Sequence, residues 1–159
     1  MGRVEGKVVV ITGGAGGIGK AAGKRFVEEG ADVLLVDLDE AALAAACQEI
    51  GSNKVSYLVA DVTSAQDNQT MIDTATERYG GVDAFLANAG IEGDVAPITD
   101  YDETRFDQVM AVNVGDTTEY RHKFGTRTVA YRVIDEPYVR IEGQKNAGAP
   151  WETVKNAMI

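Results

Sequence analysis

The chain has 159 residues, a hydrophobic fraction of 45% and a single cysteine, which is typical of one globular domain with a real core in a reducing compartment. Its formal net charge of −10 argues against nucleic acid or an anionic membrane as a partner. No apolar run approaches the length of a membrane span, and the N-terminus lacks a secretory h-region, so we expect a soluble, cytoplasmic protein.

The charge changes abruptly near residue 114. Up to that residue there are 8 basic and 19 acidic residues, and after it there are 7 basic and 6 acidic residues. We therefore expect two parts. Residues 1–114 form the main part, and residues 115–159 form a divergent tail packed on the same domain.

Residues 8–19 join a buried strand to a glycine-dense turn. The first four are apolar and β-prone, as in a parallel sheet. The turn satisfies the dinucleotide fingerprint G-x-G-x-x-G from Gly14 to Gly19, and also a variant, T-G-x-x-x-G-x-G, which begins at Thr12. Glycine lets the backbone approach a ligand closely, and the helix that follows directs its N–H groups and positive dipole end at the turn. The pattern therefore favours a bound phosphate.

A second apolar strand, residues 31–37, ends at an acid. Asp37 lies 18 residues after Gly19, close to the spacing of roughly 20 at which dinucleotide folds place an acid on the adenosine ribose. Such an acid accepts hydrogen bonds from both ribose hydroxyls and repels a 2′-phosphate, and neither Gly16 nor Leu38 supplies a compensating positive charge. The pattern favours NAD over NADP. The alternative is a glycine-rich turn with an unrelated surface acid.

Predicted helices alternate with the strands. Three of them end at glycines, namely Gly30, Gly51 and Gly80. Asp39 caps the second helix, and the third begins with a capping box from Thr63 to Gln66. Each helix thus has a recognisable boundary.

Two more strands and another helix complete the pattern. The strands cover residues 55–60 and 82–87, and the helix covers residues 102–112 with Phe106, Val109 and Met110 at inner positions. The alternation predicts an α/β fold with a parallel sheet, right-handed crossovers and helices on both faces. Ligands of such a sheet bind beyond the carboxyl ends of its strands.

Five motifs occur in a fixed order along this part of the chain. They are the turn from Thr12 to Gly19, Asp37, Asp61-Val62, Asn88-Ala89-Gly90 and Asn113. Together they resemble the N-terminal half of a short-chain dehydrogenase/reductase, over residues 4 to about 114. The resemblance implies a Rossmann-like, doubly wound parallel sheet of strand order 3-2-1-4, truncated relative to the family. It also implies an oxidoreductase that transfers hydride between NAD and an alcohol or ketone substrate.

The resemblance places the cofactor along the strand ends. It implies contacts of the pyrophosphate with the glycine turn, of the ribose with the end of the second strand, of adenine with the end of the third, and of the nicotinamide side with the turn after the fourth. The residues concerned are Gly13, Gly17, Ile18, Gly19, Asp37, Leu38, Asp61, Val62, Asn88, Ala89 and Gly90. On the residues alone, Asp61 equally fits a simple turn cap. Ala87 departs from the family, whose members more often carry two asparagines at this turn.

The family's catalytic pair is not found in these residues. The chemistry needs a Tyr and, four residues later, a Lys whose charge lowers the Tyr pKa. None of the 6 tyrosines has such a Lys, and the pair Tyr120 and Lys123 is one residue too close. Asn113 matches the family's relay asparagine, which leaves a catalytic relay role open. His122 is the only histidine, so no metal cluster or histidine-based triad can form around a second one.

Two functions therefore remain open. One is an NAD-dependent oxidoreductase with an alcohol or ketone substrate. The other is a non-catalytic dinucleotide-binding or interaction module, truncated or fused, which the missing Tyr-x-x-x-Lys pair favours.

The tail does not match the family's motifs. Alternation over residues 126–134, followed by Pro137 and a run from Tyr138, predicts a β-hairpin or a pair of edge strands. Pro150 is expected to open a short helix that runs to the C-terminus. The hairpin would cover the open edge of the fourth strand, either within the chain or by exchange in a homo-oligomer. An alternative transcript, a frameshift or an artificial junction would also explain the change in composition.

Overall fold

A computed structural model describes residues 2–114 in full, together with the backbone of 120–124, 127–134, 139–144 and 152–157. The chain divides into two compact units, Met1–Val114 and Gly115–Ile159. The boundary falls where the charge of the sequence changes.

The N-terminal unit is a parallel sheet with helices on both faces. Its elements are β1 (Val8–Thr12), α1 (Gly17–Glu28), β2 (Asp32–Asp37), α2 (Glu40–Ile50), β3 (Val55–Val59), α3 (Ala65–Tyr79), β4 (Ala84–Leu86), a single 3-10 turn (Ile98–Asp100) and α4 (Glu103–Asn113). The strands are ordered β3-β2-β1-β4 and pair in parallel, which confirms the predicted doubly wound sheet. No helix in the described part of the chain is both long enough and apolar enough to cross a membrane.

The central strand β1 is buried on both faces. Val10 belongs to a core cluster that includes Met71 of α3. Its neighbour Ile11 belongs to a second cluster, on the other side of the sheet, with Leu43 of α2. Successive residues of a strand point to opposite faces, so a continuous apolar run supplies both layers. Burial of each such side chain contributes about 1.5–3 kcal/mol to stability.

The helix boundaries follow the predicted signals. Gly30, Gly51 and Gly80 follow α1, α2 and α3 with φ angles of 97°, 66° and 92°. These left-handed conformations suit glycine, which has no Cβ to clash. At the start of α2, the Asp39 side chain accepts a hydrogen bond from the N–H of Ala42 at 2.9 Å. Caps of this kind satisfy N–H groups that have no partner within the helix.

The predicted capping box of α3 is wrong by one residue. Ser64, not Thr63, is the N-cap, and its hydroxyl accepts the N–H of Asp67 at 3.2 Å. The Thr63 hydroxyl donates instead to Asp61 at 2.7 Å. Both frames of the sequence offer a cap residue, but only the Ser64 frame places a carboxylate in the first turn, where the helix dipole favours it; the predicted frame offers Gln66.

The helix α4 forms as predicted, but only Val109 of its three expected inner residues is half-buried, and the other two are exposed. Phe106 and Met110 are 52% and 37% exposed. Val112 packs against the cluster that contains Met71 of α3. A helical stripe shows which residues share a face, but it does not show which face the sheet covers.

The C-terminal unit is an antiparallel sheet of order β5-β6-β7-β8. Its strands are β5 (Tyr120–Phe124), β6 (Arg127–Ile134), β7 (Val139–Gln144) and β8 (Glu152–Ala157). β6 and β7 pair as the predicted hairpin. The helix expected after Pro150 is wrong, because β8 pairs with β7 along that segment. Pairing with a neighbouring strand outweighs a local helix-start signal in so short a segment. The packing of this hairpin on β4 stays a prediction.

Candidate functional site

A cleft of about 350 Å³ lies at the carboxyl ends of β1, β2, β3 and β4. Of the residues expected to contact a cofactor, those on its wall are Gly13, Gly17, Ile18, Asp37, Leu38, Asp61, Val62, Asn88, Ala89 and Gly90. Four further residues line the cleft: Gly16, which belongs to the predicted fingerprint, and Ala60, Ile91 and Val112, which were not predicted. The strand ends thus bring together residues that are far apart in sequence, as the fold rule requires.

The turn between β1 and α1 forms the centre of the cleft wall. Gly13 has a φ of 63°, and a Cβ added there would lie 2.9 Å from Nδ2 of Asn88. Gly14 donates its N–H to the carbonyl oxygen of Val36 at 2.9 Å, which holds the turn against β2. α1 begins at Gly17, where a Cβ would meet nothing within 4 Å. The first turn of α1 therefore places its positive dipole end at the cleft, a suitable position for a phosphate.

Gly19 does not line the cleft. It is buried under the turn, where an added Cβ would overlap the carbonyl oxygen of Gly13. The third position of the fingerprint is therefore glycine because the helix packs closely on the turn there, and not because the residue contacts a ligand.

The carboxylate of Asp37 is fixed by main-chain donors. Oδ2 accepts the N–H of Ala15 at 3.1 Å, and Oδ1 accepts the N–H of Leu38 at 2.8 Å. Each oxygen retains a second lone pair that can accept a hydroxyl proton. Among the described residues that line the cleft, none is Lys or Arg. The Asp37 end of the cleft therefore offers hydrogen-bond acceptors, and no described lining residue places a Lys or Arg beside them.

Asp61 does cap a turn, as the alternative interpretation proposed. Its Oδ1 accepts both the N–H of Thr63 at 2.8 Å and the Thr63 hydroxyl at 2.7 Å. It also lies on the cleft wall, beside Val62, which is 8% exposed. The two interpretations of Asp61 are therefore compatible, because the turn that it caps forms the wall of the cleft.

Thr12 is a site residue whose role the sequence analysis missed. It is fully buried, and its hydroxyl oxygen accepts the N–H groups of Asn88 at 3.0 Å and Ala89 at 3.1 Å. Asn88 in turn donates from Nδ2 to the carbonyl oxygens of Thr12 at 3.1 Å and Gly13 at 3.3 Å. The sequence does contain a signal for this role, a threonine at the end of an apolar run. A polar side chain that ends a wholly buried strand must find hydrogen-bond partners.

Asn113, the residue considered for a relay, does not line the cleft. From the last turn of α4, its Oδ1 accepts the N–H of Ile91 at 2.9 Å, and its Nδ2 donates to the Ile91 carbonyl at 3.1 Å. Both ends of the amide therefore bind the main chain just after Gly90. Asn113 therefore holds the main chain of Ile91, a residue that lines the cleft.

The sequence profile of the short chain dehydrogenase family matches residues 7–122. The match extends past residue 114, where the recognisable motifs end. A short-chain dehydrogenase reductase 3c of Arabidopsis thaliana is 39% identical over 112 residues, which cover 70% of this chain and 43% of the relative. A short chain aldehyde dehydrogenase 1 of Euphorbia lathyris is 43% identical over 116 residues, covering 70% of this chain and 40% of the relative.

Solved structures agree with this match. A short-chain dehydrogenase/reductase from Brucella melitensis, described as a glucose/ribitol dehydrogenase, aligns with a TM-score of 0.69 and 31% identity over 72% of this chain and 48% of its own. A 3-ketoacyl-(acyl-carrier-protein) reductase from the same organism, complexed with NADH, aligns with a TM-score of 0.68 and 33% identity over 72% of this chain and 47% of its own. The chain thus spans about half the length of the relatives it matches. With its sheet order, its glycine turn and the profile match, it belongs to the short-chain dehydrogenase/reductase family.

Proposed function

We propose that this chain binds NAD in the cleft at the strand ends, as the cofactor-binding part of an oxidoreductase. Membership of the family and the NADH complex of a similar reductase support a nicotinamide dinucleotide. The observation that carries the choice of NAD is the carboxylate of Asp37, held in place by the N–H groups of Ala15 and Leu38.

The electrostatics of the cleft favour NAD over NADP. A 2′-phosphate brings a charge of about −1.5 to −2 to the end of the cleft that carries Asp37. Two like charges about 4 Å apart near a protein surface repel by roughly 4 kcal/mol. The described lining residues offer no Lys or Arg to offset this repulsion. We therefore expect NAD to bind at least about tenfold more tightly than NADP.

The positions of the strand ends support an extended pose for the cofactor. The start of α1 at Gly17 suits the pyrophosphate, and the carboxylate of Asp37 suits the adenosine ribose. Asp61 and Val62 then flank the adenine. Because β1 lies between β2 and β4, the nicotinamide half extends the other way, towards the turn after β4 at Asn88. The cofactor supplies the hydride acceptor, and these residues hold and orient it.

Turnover requires a proton donor as well as a cofactor site. In family members this is a Tyr activated by a Lys four residues later, and these 159 residues contain no such pair. We propose conversion of an alcohol or ketone only for an enzyme that has such a proton donor as well as this cofactor site. The missing pair also supports a second candidate, a non-catalytic dinucleotide-binding or interaction module. Formation of NADH from NAD across a panel of alcohols would distinguish the two.

Calorimetric titration of the full chain with NAD and NADP tests the proposal. We expect NAD to bind to the wild-type chain. Asp37→Ala should weaken NAD binding and reduce the ratio of NAD affinity to NADP affinity. Glu40→Ala is the matched control, because it removes an exposed acid three residues away that does not line the cleft. Absence of NAD binding to the folded chain, or equal binding of NADP, would contradict the proposal.

A further inference from the structure

The cleft has a wall at its β4 end that is tied to the helix α4. We call residues 91–94 the β4 wall. Ile91 lines the cleft, and the side chain of Asn113 binds its N–H and carbonyl groups. At the other end of the segment, the N–H of Asp94 donates to the hydroxyl of Tyr101 at 2.9 Å. Both ends of the β4 wall are therefore fixed by side chains from further along the chain.

Arg105 holds the middle of the β4 wall. It is the third residue of α4, and its guanidinium donates to the carbonyl oxygen of Glu92 at 2.6 Å. Its Nε lies 3.7 Å from the carboxylate of Asp94, and the two side chains are 34% and 60% exposed. An exposed ion pair at that distance contributes little, whereas a short charge-assisted hydrogen bond is among the stronger contacts. The hydrogen bond to Glu92 therefore contributes more to holding the β4 wall than the ion pair with Asp94 does.

We propose that Arg105 is a positioning residue for the nicotinamide half of the cofactor, acting through the β4 wall. The inference rests on the proposed function. With the adenosine half at the ends of β2 and β3, the other half has to pass the turn after β4, beside Ile91. Arg105 does not line the cleft. Arg105 acts indirectly, because its hydrogen bond holds the main chain of Glu92 against α4, and Glu92 is the residue directly after Ile91.

Two ligands separate this role from general stability. NAD reaches both ends of the cleft, whereas ADP-ribose lacks the nicotinamide ring. In calorimetric titrations of the full chain we expect Arg105→Ala to weaken NAD binding about fivefold and to leave ADP-ribose binding unchanged. The NAD affinity of Arg105→Lys should lie between those of Arg105→Ala and the wild type. A lysine ammonium can donate to the same carbonyl oxygen, but it lacks the planar, forked donor geometry of a guanidinium.

Arg78→Ala is the matched control. Arg78 of α3 also donates to a carbonyl oxygen, that of Tyr57 at 3.0 Å, and it does not line the cleft. It should leave both affinities unchanged. Equal loss of NAD and ADP-ribose binding in Arg105→Ala, or no loss of either, would overturn the inference.

Hydrogen–deuterium exchange gives a readout that needs no ligand. Arg105→Ala should speed exchange in the β4 wall and leave β1 protected. Unchanged exchange in the β4 wall would overturn the inference. Failure of the wild-type chain to bind either ligand would contradict the proposed function instead, and the exchange result would still decide whether Arg105 holds the wall.

Discussion

The hydroxyl oxygen of Thr12 accepts the main-chain N–H of Asn88 at 3.0 Å, although the two residues are 76 positions apart in sequence. The same oxygen accepts the N–H of Ala89 and donates to the carbonyl of Leu86 at 3.5 Å. One buried hydroxyl therefore joins the end of β1 to the turn after β4. These are the two strand ends on which the proposed pyrophosphate and nicotinamide positions depend.

Replacement of Thr12 tests this link. Thr12→Val keeps the shape but leaves the N–H groups of Asn88 and Ala89 without their acceptor, so we expect the free energy of unfolding to fall by about 1–3 kcal/mol for each of the two groups. Thr12→Ser keeps the hydroxyl and loses one methyl group, at a cost of about 1 kcal/mol. Urea unfolding measures both. A Val variant as stable as the Ser variant would contradict the assigned role.

Replacement of Gly19 and of Gly17 by alanine should affect the stability of the fold differently. At Gly19 the new Cβ overlaps the carbonyl oxygen of Gly13, so backbone has to shift, at about 1–3 kcal/mol in stability. At Gly17 the space is open, and we expect stability to stay within about 1 kcal/mol of wild type. Gly17→Ala should still weaken NAD binding, because its methyl group enters the cleft. Thermal unfolding and NAD titration separate the two effects, and similar stability losses at both positions would count against this packing.

Glu29 gives a pH-dependent contribution to stability. Hydrogen bonds from the main-chain N–H and the side chain of Arg3 lower its pKa below the usual 4.5. Because the folded-state pKa lies below the unfolded one, the contribution is present above pH 4.5 and disappears as the pH falls through the folded-state pKa. We expect Glu29→Gln to lower the urea midpoint at neutral pH and to match wild type in strong acid. A difference that persists in acid would exclude the carboxylate as its source.

Cys47 should be a slow nucleophile in the folded chain. Burial raises the pKa of its thiol above the usual 9.0, and the thiolate is the reactive form. Alkylation by iodoacetamide at slightly alkaline pH should be slower for the native protein than for the urea-unfolded chain, and the native rate should rise with pH. Equal rates in the two states would show that the side chain is not protected.

The sequence predicted the sheet well because its signals are local. Glycines at Gly30, Gly51 and Gly80 end helices through φ angles that other residues avoid. The apolar strands between them are long enough to be recognised without tertiary information. The carboxyl ends of parallel strands then have to meet at one edge, which is why the cleft residues could be named from their strand positions.

The rest depends on contacts that a single sequence does not encode locally. Gly17 and Gly19 belong to the same glycine-rich motif, yet Gly19 is buried and Gly17 lines the cleft. Phe106 and Val112 are both apolar residues of α4, yet Phe106 is exposed and Val112 packs against the core cluster that contains Val10 and Met71. The role of Arg105 depends on a loop thirteen residues upstream, which no periodicity reveals.

The pairing of β1 with β4 also has a consequence during protein synthesis. The β1–β2 and β2–β3 pairs lie within the first 59 residues, but the other edge of β1 pairs with Ala84 to Leu86, which are synthesised later. Until then the nascent sheet presents an unpaired edge of its most apolar strand, the type of surface that invites association with other chains. The strands proposed to hold the adenosine half are therefore synthesised before β4, at whose end the nicotinamide half is proposed to lie.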